Sequence, residues 1–493
     1  MGFFIVLISF VVGIGGFVFG VDSGIMGTTL GHDTFKLYML GPTMKNASLT
    51  GAIVSVYNAG QAVGTFFTGY LADKIGRKWT ICGAAIIATL GASLQAGARN
   101  VGMMIAGRLF AGLGCGMMLT VVPVYIAEVS PPKNRGVIVG IQGLMISLGF
   151  CIANWIGYGG AFASGNAQWR IPLAMQIPGA VALAIGCIFI PYSPRWLVQQ
   201  ERYEDAKAVL IKLHGDQGDD YLAQEFIQIR DQILLEQSAK GTNFMQAIGQ
   251  LFSRQYIRRT GTACFILAMG QLSGSTVIQN YQNIFYATVG FHGKTALLIS
   301  GIYGFMGLIG QIIYMLFVAD RWPRTRTLWT GSVFLCVMIS ICMALSAEYP
   351  AGTTNKAGPR AAIAAIFIYS AGYAVFFNAM VWVVPSELFP FFLRSKGLGL
   401  GVFTKAVVAI VLAQVTPVAL ENVGWRYYAL FIATNFAAAF IYFFFLPETK
   451  GKSLEEIAEL FGDTLATEQL GHINVAAKEP AIHEQIENVE KKV

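Results

Sequence analysis

Gly69-Tyr70-Leu71-Ala72-Asp73-Lys74-Ile75-Gly76-Arg77-Lys78 is a short charged stretch between two long apolar ones. The flanking runs cover roughly 49–71 and 80–98, each close to the ~20 residues that carry a helix across a hydrocarbon core. The loop is too short to hold a soluble domain. The stretch therefore reads as the surface turn of a membrane-spanning helical hairpin.

Reading outward on the same criterion gives ten more runs. They lie at about 3–27, 101–125, 137–158, 170–191, 257–281, 295–319, 328–346, 361–385, 397–420 and 426–446. The first has no basic segment ahead of it and continues too far for a signal peptide, so it reads as a membrane helix. Composition supports twelve spans. Of 493 residues, 55% are hydrophobic and 12% charged, where a soluble domain carries about 25% charged residues. An ordinary soluble enzyme, a disordered chain, a coiled coil and a secreted disulfide scaffold are thereby excluded. The seven cysteines all fall in apolar runs and read as packing residues, so no disulfide is expected. The five histidines lie outside the runs, and no metal cluster appears at usable spacing.

Two segments are polar. Residues 192–256 read as a linker with helix-like stretches at Arg202–Leu213 and Ala223–Glu236, and 447–493 as a tail. The expected division is an N-terminal six-helix unit (1–191), a cytoplasmic helical linker (192–256), a C-terminal six-helix unit (257–446) and a cytoplasmic tail (447–493). With both termini inside, most Lys and Arg fall on the cytoplasmic side, although the short loops alone divide almost evenly.

The charged hairpin has an echo. Asp73 and Arg77 follow the second run; Asp320 and Arg324 follow the eighth. Glu128 and Arg135 follow the fourth run; Glu387 and Arg394 follow the tenth at the same spacing. Signatures repeated in order in corresponding loops mark an internal duplication. Each acid can pair with an arginine at a cytoplasmic helix end. Pairs that hold in one conformation and break in another are what alternating access requires. The alternative is interfacial charge that orients helices.

Further motifs run through the chain: Gly20-Val21-Asp22-Ser23-Gly24, Gly107-Arg108, Pro123 to Glu128 and on to Arg135, Pro191-Tyr192-Ser193-Pro194-Arg195-Trp196-Leu197, Trp382 to Pro390, and Pro447-Glu448-Thr449-Lys450-Gly451. With them the sequence resembles the sugar-porter branch of the major facilitator superfamily, and its fungal hexose transporters in particular. The resemblance implies an all-α membrane protein of twelve transmembrane helices in two six-helix bundles related by pseudo-twofold symmetry. It also implies a substrate site at mid-membrane between the bundles.

Asp22 is the one carboxylate deep within an expected span, so it must face the protein interior and find a partner. Arg108 is the candidate. In the family the matching pair lies in the N-terminal bundle, and in proton symporters the aspartate accepts the proton. The alternative is a permanent ion pair holding two helices together. Lys405 lies deep in the eleventh run, where the family has Asn. It could meet an anionic substrate group or the Asp22 side of the cavity, or could snorkel to the surface.

The expected substrate-binding set is Gln142, Gln271, Thr276, Gln279, Asn280, Asn378, Trp382 and Lys405. The family pattern is only partly kept: Trp382 and Gln271 match, whereas Gly270, Thr276, Leu308 and Lys405 replace family amides. Gln142 stands one place from the family's fifth-helix Gln and points elsewhere unless the helix is locally adjusted. The expected cytoplasmic gate is Asp73, Arg77, Glu128, Arg135, Asp320, Arg324, Glu387, Arg394 and Glu448, the last meeting an arginine when the inside is closed. Asn46-Ala47-Ser48 is a candidate N-glycosylation site. Gly112-Leu113-Gly114-Cys115-Gly116 sits inside an apolar run with no strand before it, so it reads as close helix packing rather than a nucleotide loop.

The expected activity is proton-coupled transport of a sugar or polyol. The alternatives are transport, in either direction, of a non-sugar solute such as an organic acid or secondary metabolite, and a non-transporting nutrient sensor. An enzyme, a cofactor, a metal and a nucleic-acid partner are not expected. The expected partners are a small solute, protons and the bilayer, with the protein a monomer in the plasma membrane.

Overall fold

The computed structural model describes residues 3–43, 46–131, 135–215, 218–238, 244–319, 321–349, 357–450, 452, 457 and 461. These residues form helices and connecting turns, with no strand among them. The first half holds α1 (Phe3–Thr29), the short surface helix α2 (Asp33–Leu40), α3 (Ala47–Lys74), α4 (Gly76–Ala96), α5 (Val101–Val129) and α6 (Arg135–Gly160). Its sixth span breaks at Met175 into α7 (Ala167–Ala174) and α8 (Gln176–Phe189).

Four short helices follow: α9 (Pro194–Gln199), α10 (Tyr203–His214), α11 (Asp219–Ser238) and α12 (Phe244–Leu251). The second half opens on a span bent at Ser273–Gly274 into α13 (Ile257–Leu272) and α14 (Ser275–Thr288). Gly274 has φ +94°, a conformation that favours a residue without Cβ. Next come α15 (Gly293–Ile313), prolonged by a π turn at Tyr314–Val318, and α16 (Arg324–Glu348). The tenth span is α17 (Ala357–Tyr373), a π turn at Ala374–Asn378 and α18 (Met380–Leu388). Helices α19 (Phe391–Val423) and α20 (Tyr428–Phe445) complete it.

Ten segments of the described residues are long and apolar enough to cross a membrane, one of them containing both α19 and α20. Helix α3 supplies the remaining span; its Ser, Thr, Asn and Gln residues lower its hydropathy. The twelve spans agree with the sequence reading. The largest differences are at the end of α14, which runs to Thr288 rather than 281, and the start of α19, which begins at Phe391 rather than 397. A helix keeps its backbone hydrogen bonds past the point where its apolar run stops.

Within the first half α1 packs on α6, and α3 and α4 pack on α5. Within the second, α16 packs on α20, α15 on α17 and α13 on α19. The halves meet where α3 faces α19, α6 faces α15 and α1 faces α14. The α3–α5 seam is made by glycines. A methyl group on Gly112 would lie 2.0 Å from the Tyr57 carbonyl oxygen, and one on Gly116 2.3 Å from that of Gln61. Gly60 and Gly64 make the matching approaches from α3 to Leu109 and Leu113. Backbones this close are how small residues join helices in lipid, so the glycine run of α5 is a packing device.

The linker helices carry a small core of their own, including Trp196, Leu197, Leu210, Phe226 and Ile229. They dock on the first half. The Trp196 indole donates to the Asp73 carbonyl at 3.0 Å, and the Tyr125 hydroxyl to the Pro191 carbonyl at 2.8 Å. This side of the membrane is called the linker face below.

Candidate functional site

A cavity lies between the halves. Its wall draws on α1 (Phe19, Ser23), α3 (Tyr57, Asn58, Gln61), α5 (Arg108) and α6 (Ser147, Phe150) from the first half. The second half contributes Gln271, Thr276, Gln279, Asn280, Tyr303, Ser370, Tyr373, Asn378, Trp382 and Lys405. Amide and hydroxyl groups beside aromatic faces suit a small polar solute.

Asp22 stands behind this wall. Its Oδ1 accepts from Arg108 Nη1 at 3.0 Å, and the Cys115 thiol lies 3.6 Å from its Oδ2. Arg108 also reaches the Ile53 carbonyl and Gln95, and its guanidinium carbon sits 4.3 Å over the Tyr57 ring. Both charged side chains are almost fully buried, yet Arg108 lines the cavity. The Asp22 carboxylate is thus one guanidinium away from the solute space.

Lys405 is buried and faces the cavity. Its ammonium lies 4.8 Å from the Phe19 ring centre and 5.6 Å from that of Trp382. It forms no ion pair and no hydrogen bond among the described residues. The snorkelling alternative is not what is seen.

Gln142 is the one expected binding residue that does not line the cavity. Its side chain packs against α1 at Gly16, so the offset of one residue turns it away. Asn378 lines the cavity, but its amide is already engaged. Nδ2 lies 2.9 Å from the Gly143 carbonyl, Ser147 Oγ and Gln311 Oε1, which two N–H groups must share. The π turn that ends at Asn378 places it against α6. Thr276 donates to Gln271 Oε1 at 2.5 Å, and Gln279 to Ser275 at 3.1 Å. The sequence reading missed Asn58 and Gln61. Their signal was a face of α3 carrying Tyr57, Asn58 and Gln61 one turn apart.

On the linker face the repeated acids and arginines pair within each half. Arg77 Nη2 is 3.1 Å from Glu128 Oε1, and Arg77 Nη1 is 3.6 Å from Asp73. Ser193 also donates to Glu128. In the second half Arg324 Nη2 is 3.8 Å from Glu387, which accepts from Thr449 at 2.9 Å. Arg394 donates to the Phe389 carbonyl at 3.4 Å. Among the described residues Glu448 meets no guanidinium; it caps α16, accepting from the backbone N–H groups of Arg324 and Thr325 at 2.9 and 3.0 Å. Asp320 and the Arg135 side chain lie outside the described residues. Among the described residues, Asp73 pairs across the halves with Lys396 of α19, at 2.5 Å.

On the opposite face, Asn283 Nδ2 donates to the Gly27 carbonyl at 2.7 Å, and the Tyr281 hydroxyl to the Ala413 carbonyl at 2.6 Å. Helix α14 bends at Tyr281. Beyond it an outer chamber is lined by Asp33, Lys36, His292 and Glu421 among others, and Asn280 touches both chambers. Asn46 lies at that chamber and caps α3, accepting from Leu49 N–H at 3.0 Å.

Residues 8–461 match the family model described as sugar (and other) transporter. The chain belongs to this family. An MFS-type transporter of Aspergillus cristatus, criB, is 36% identical over 92% of both chains. A probable quinate permease of Aspergillus clavatus is 32% identical, covering 90% of this chain and 85% of the relative. A high-affinity glucose transporter of Kluyveromyces lactis is 29% identical, covering 94% and 86%. Among solved structures, the proton:xylose symporter XylE bound to 6-bromo-6-deoxy-D-glucose superposes with a TM-score of 0.81 at 22% identity, covering 93% of this chain and 99% of that one. This likeness shows the fold, two six-helix bundles.

Proposed function

We propose that the protein is an alternating-access secondary transporter that moves a small hydroxyl-bearing solute, a sugar or polyol, together with a proton. The supporting observation is the position of the Asp22–Arg108 pair. It is buried behind a polar and aromatic cavity between the halves, and Arg108 forms part of the cavity wall. Protonating Asp22 would release Arg108 toward the solute and loosen α1 from α5, which links occupancy to the conformational change. Inter-half contacts flank the cavity on both faces.

Gln271, Thr276, Gln279, Asn280, Trp382 and Lys405 are the proposed solute contacts. The ion pairs of the linker face are the proposed gate. In this reading the linker face is cytoplasmic, both termini lie there, residues 1–191 and 257–446 move as separate units, and the monomer sits in the plasma membrane. Asn46 would then face outside and be open to a glycan, which a mobility shift on glycosidase treatment detects.

A second reading is a non-sugar solute, such as an organic acid or a secondary metabolite, moved in either direction. It is favoured by Lys405 in place of the family amide and by relatives that include a quinate permease. Uptake in hexose-transport-null yeast of sugars, polyols and organic acids, with and without a protonophore, tests both. Accumulation that collapses with the protonophore supports coupling. Surface-located protein that moves no sugar or polyol removes the first reading, and solute binding without transport would point to a sensor.

A further inference from the structure

We infer that the transported solute is a hydroxylated carboxylate whose anionic group seats on Lys405. The inference rests on the transporter reading above, takes the second of its substrate readings over the neutral sugar or polyol, and narrows the organic acid to one that carries hydroxyl groups. Arg108 and Lys405 are the charged residues of the cavity wall, and no Asp or Glu lines it among the described residues. Asp22 neutralises Arg108 at 3.0 Å. Lys405 has no such partner, so the cavity carries one uncompensated positive charge.

The ammonium is also fixed in place. Phe19 from the first half and Trp382 from the second approach it at 4.8 and 5.6 Å, distances at which ring quadrupoles hold a cation. Rings donate electron density but accept no conventional hydrogen bonds, so the three N–H groups remain available to the cavity. An unpaired ammonium removed from bulk water is unfavourable unless a counter-charge arrives. A neutral sugar would supply hydroxyl oxygens and leave the charge in place. A carboxylate supplies both acceptors and charge. The remainder of such a solute would meet Gln271, Gln279 and Asn280, which suit hydroxyl groups. Because Phe19 and Trp382 come from opposite halves, an anion on Lys405 would sit at the junction that alternating access rearranges.

The test uses the full chain, purified and reconstituted in liposomes. Binding and uptake are measured for quinate, gluconate and lactate, and for the neutral inositol, glucitol and glucose. The wild type is expected to bind at least one carboxylate roughly 30-fold more tightly than its neutral counterpart. Lys405→Asn should abolish that preference and Lys405→Arg should keep most of it, with thermal melting confirming that both variants fold. A wild type that binds the neutral probes as well as every carboxylate overturns the inference. So does a Lys405→Asn protein that keeps the preference. Coupled uptake of glucose or glucitol alone leaves the transporter reading standing while this inference falls; uptake of no probe removes both.

Discussion

The Asp73 carboxylate on α3 lies 2.5 Å from the Lys396 ammonium on α19, and it ties the two halves of the protein together at the linker face. Among the described residues, the pairs Arg77–Glu128, Arg77–Asp73 and Arg324–Glu387 of the repeated loops each lie inside one half. These pairs act within a half, whereas in the proposed transport cycle the Asp73–Lys396 bridge breaks when the linker face opens. Both partners are partly exposed, so the pair contributes about 1 kcal/mol, a roughly fivefold bias toward the closed face. Asp73→Asn and Lys396→Ala should each increase labelling of a cysteine placed near the linker-face side of the cavity. The double variant Asp73→Asn with Lys396→Ala should label no more than either single variant, because both remove the same bridge. Unchanged labelling in both single variants would exclude this role.

Asp22 and Arg108 should separate coupling from folding. Asp22→Asn is expected to retain solute binding and lose protonophore-sensitive accumulation. Arg108→Ala leaves a carboxylate buried beside an empty site and is expected to cost about 3–5 kcal/mol of stability. Uptake with and without a proton gradient, alongside thermal melting, checks the two outcomes. An Asp22→Asn protein that still accumulates solute against a gradient would reduce the pair to a structural strut.

His32, between α1 and α2 on the face opposite the linker, should make stability depend on acidity. Burial lowers its pKa from 6.5 to about 4. The unfolded chain therefore binds a proton that the folded one refuses between these values. Stability is full above pH 6.5 and falls as pH drops through 6.5 toward 4. The loss at pH 5 is about 2 kcal/mol. Melting of the purified protein between pH 7 and 4.5 should show this slope, and His32→Gln should flatten it. An equal slope in the variant would assign the acid sensitivity to other groups.

The glycine seam should tolerate no added atoms. Gly112→Ala would place a methyl 2.0 Å from the Tyr57 carbonyl oxygen. Overpacking of this kind costs about 1–3 kcal/mol. Because Tyr57 and Gln61 line the cavity, displacement of α3 should also weaken solute binding. Gly83, with open space around its Cβ position, is the control: Gly83→Ala should leave melting and binding unchanged.

The spans were legible because each span must shed polar groups along its full length, a signal that needs no partner to be recognised. The loop acids and arginines were legible as a repeated pattern, but their partners were not. Arg77 reaches Glu128 across α4 and α5, and no spacing in the sequence distinguishes that from a contact between halves. Lys396 carried no signal because it has no counterpart in the repeated signature. Asn378 was recognised as a cavity residue, yet its amide is engaged by α6 through a π turn that has no clear sequence mark. Asn58 and Gln61 carry no distinguishing mark of their own in the sequence, because the family's amide positions concentrate on the second half and polar residues along a span equally suit helix packing. Glu448 was expected to meet an arginine side chain and instead holds that arginine's backbone, a distinction of a few ångströms that depends on where Pro447 turns the chain.

The α3–α5 seam bears on how this protein can change its solute. Where backbone touches backbone, no side chain can be trimmed to make room, and every substitution adds bulk. The wall formed by Tyr57 and Gln61 is therefore held at a fixed distance from α5 and Arg108. The facing wall is carried by helices interrupted at Gly274 and at the π turn that ends at Asn378, and its close backbone approaches, Gly27 to Gln279 and Gly310 to Ala371, involve none of Gln271, Trp382 and Lys405. New solute preferences should consequently arise by exchange on that second wall, while the first acts as an invariant template against which each new solute is measured.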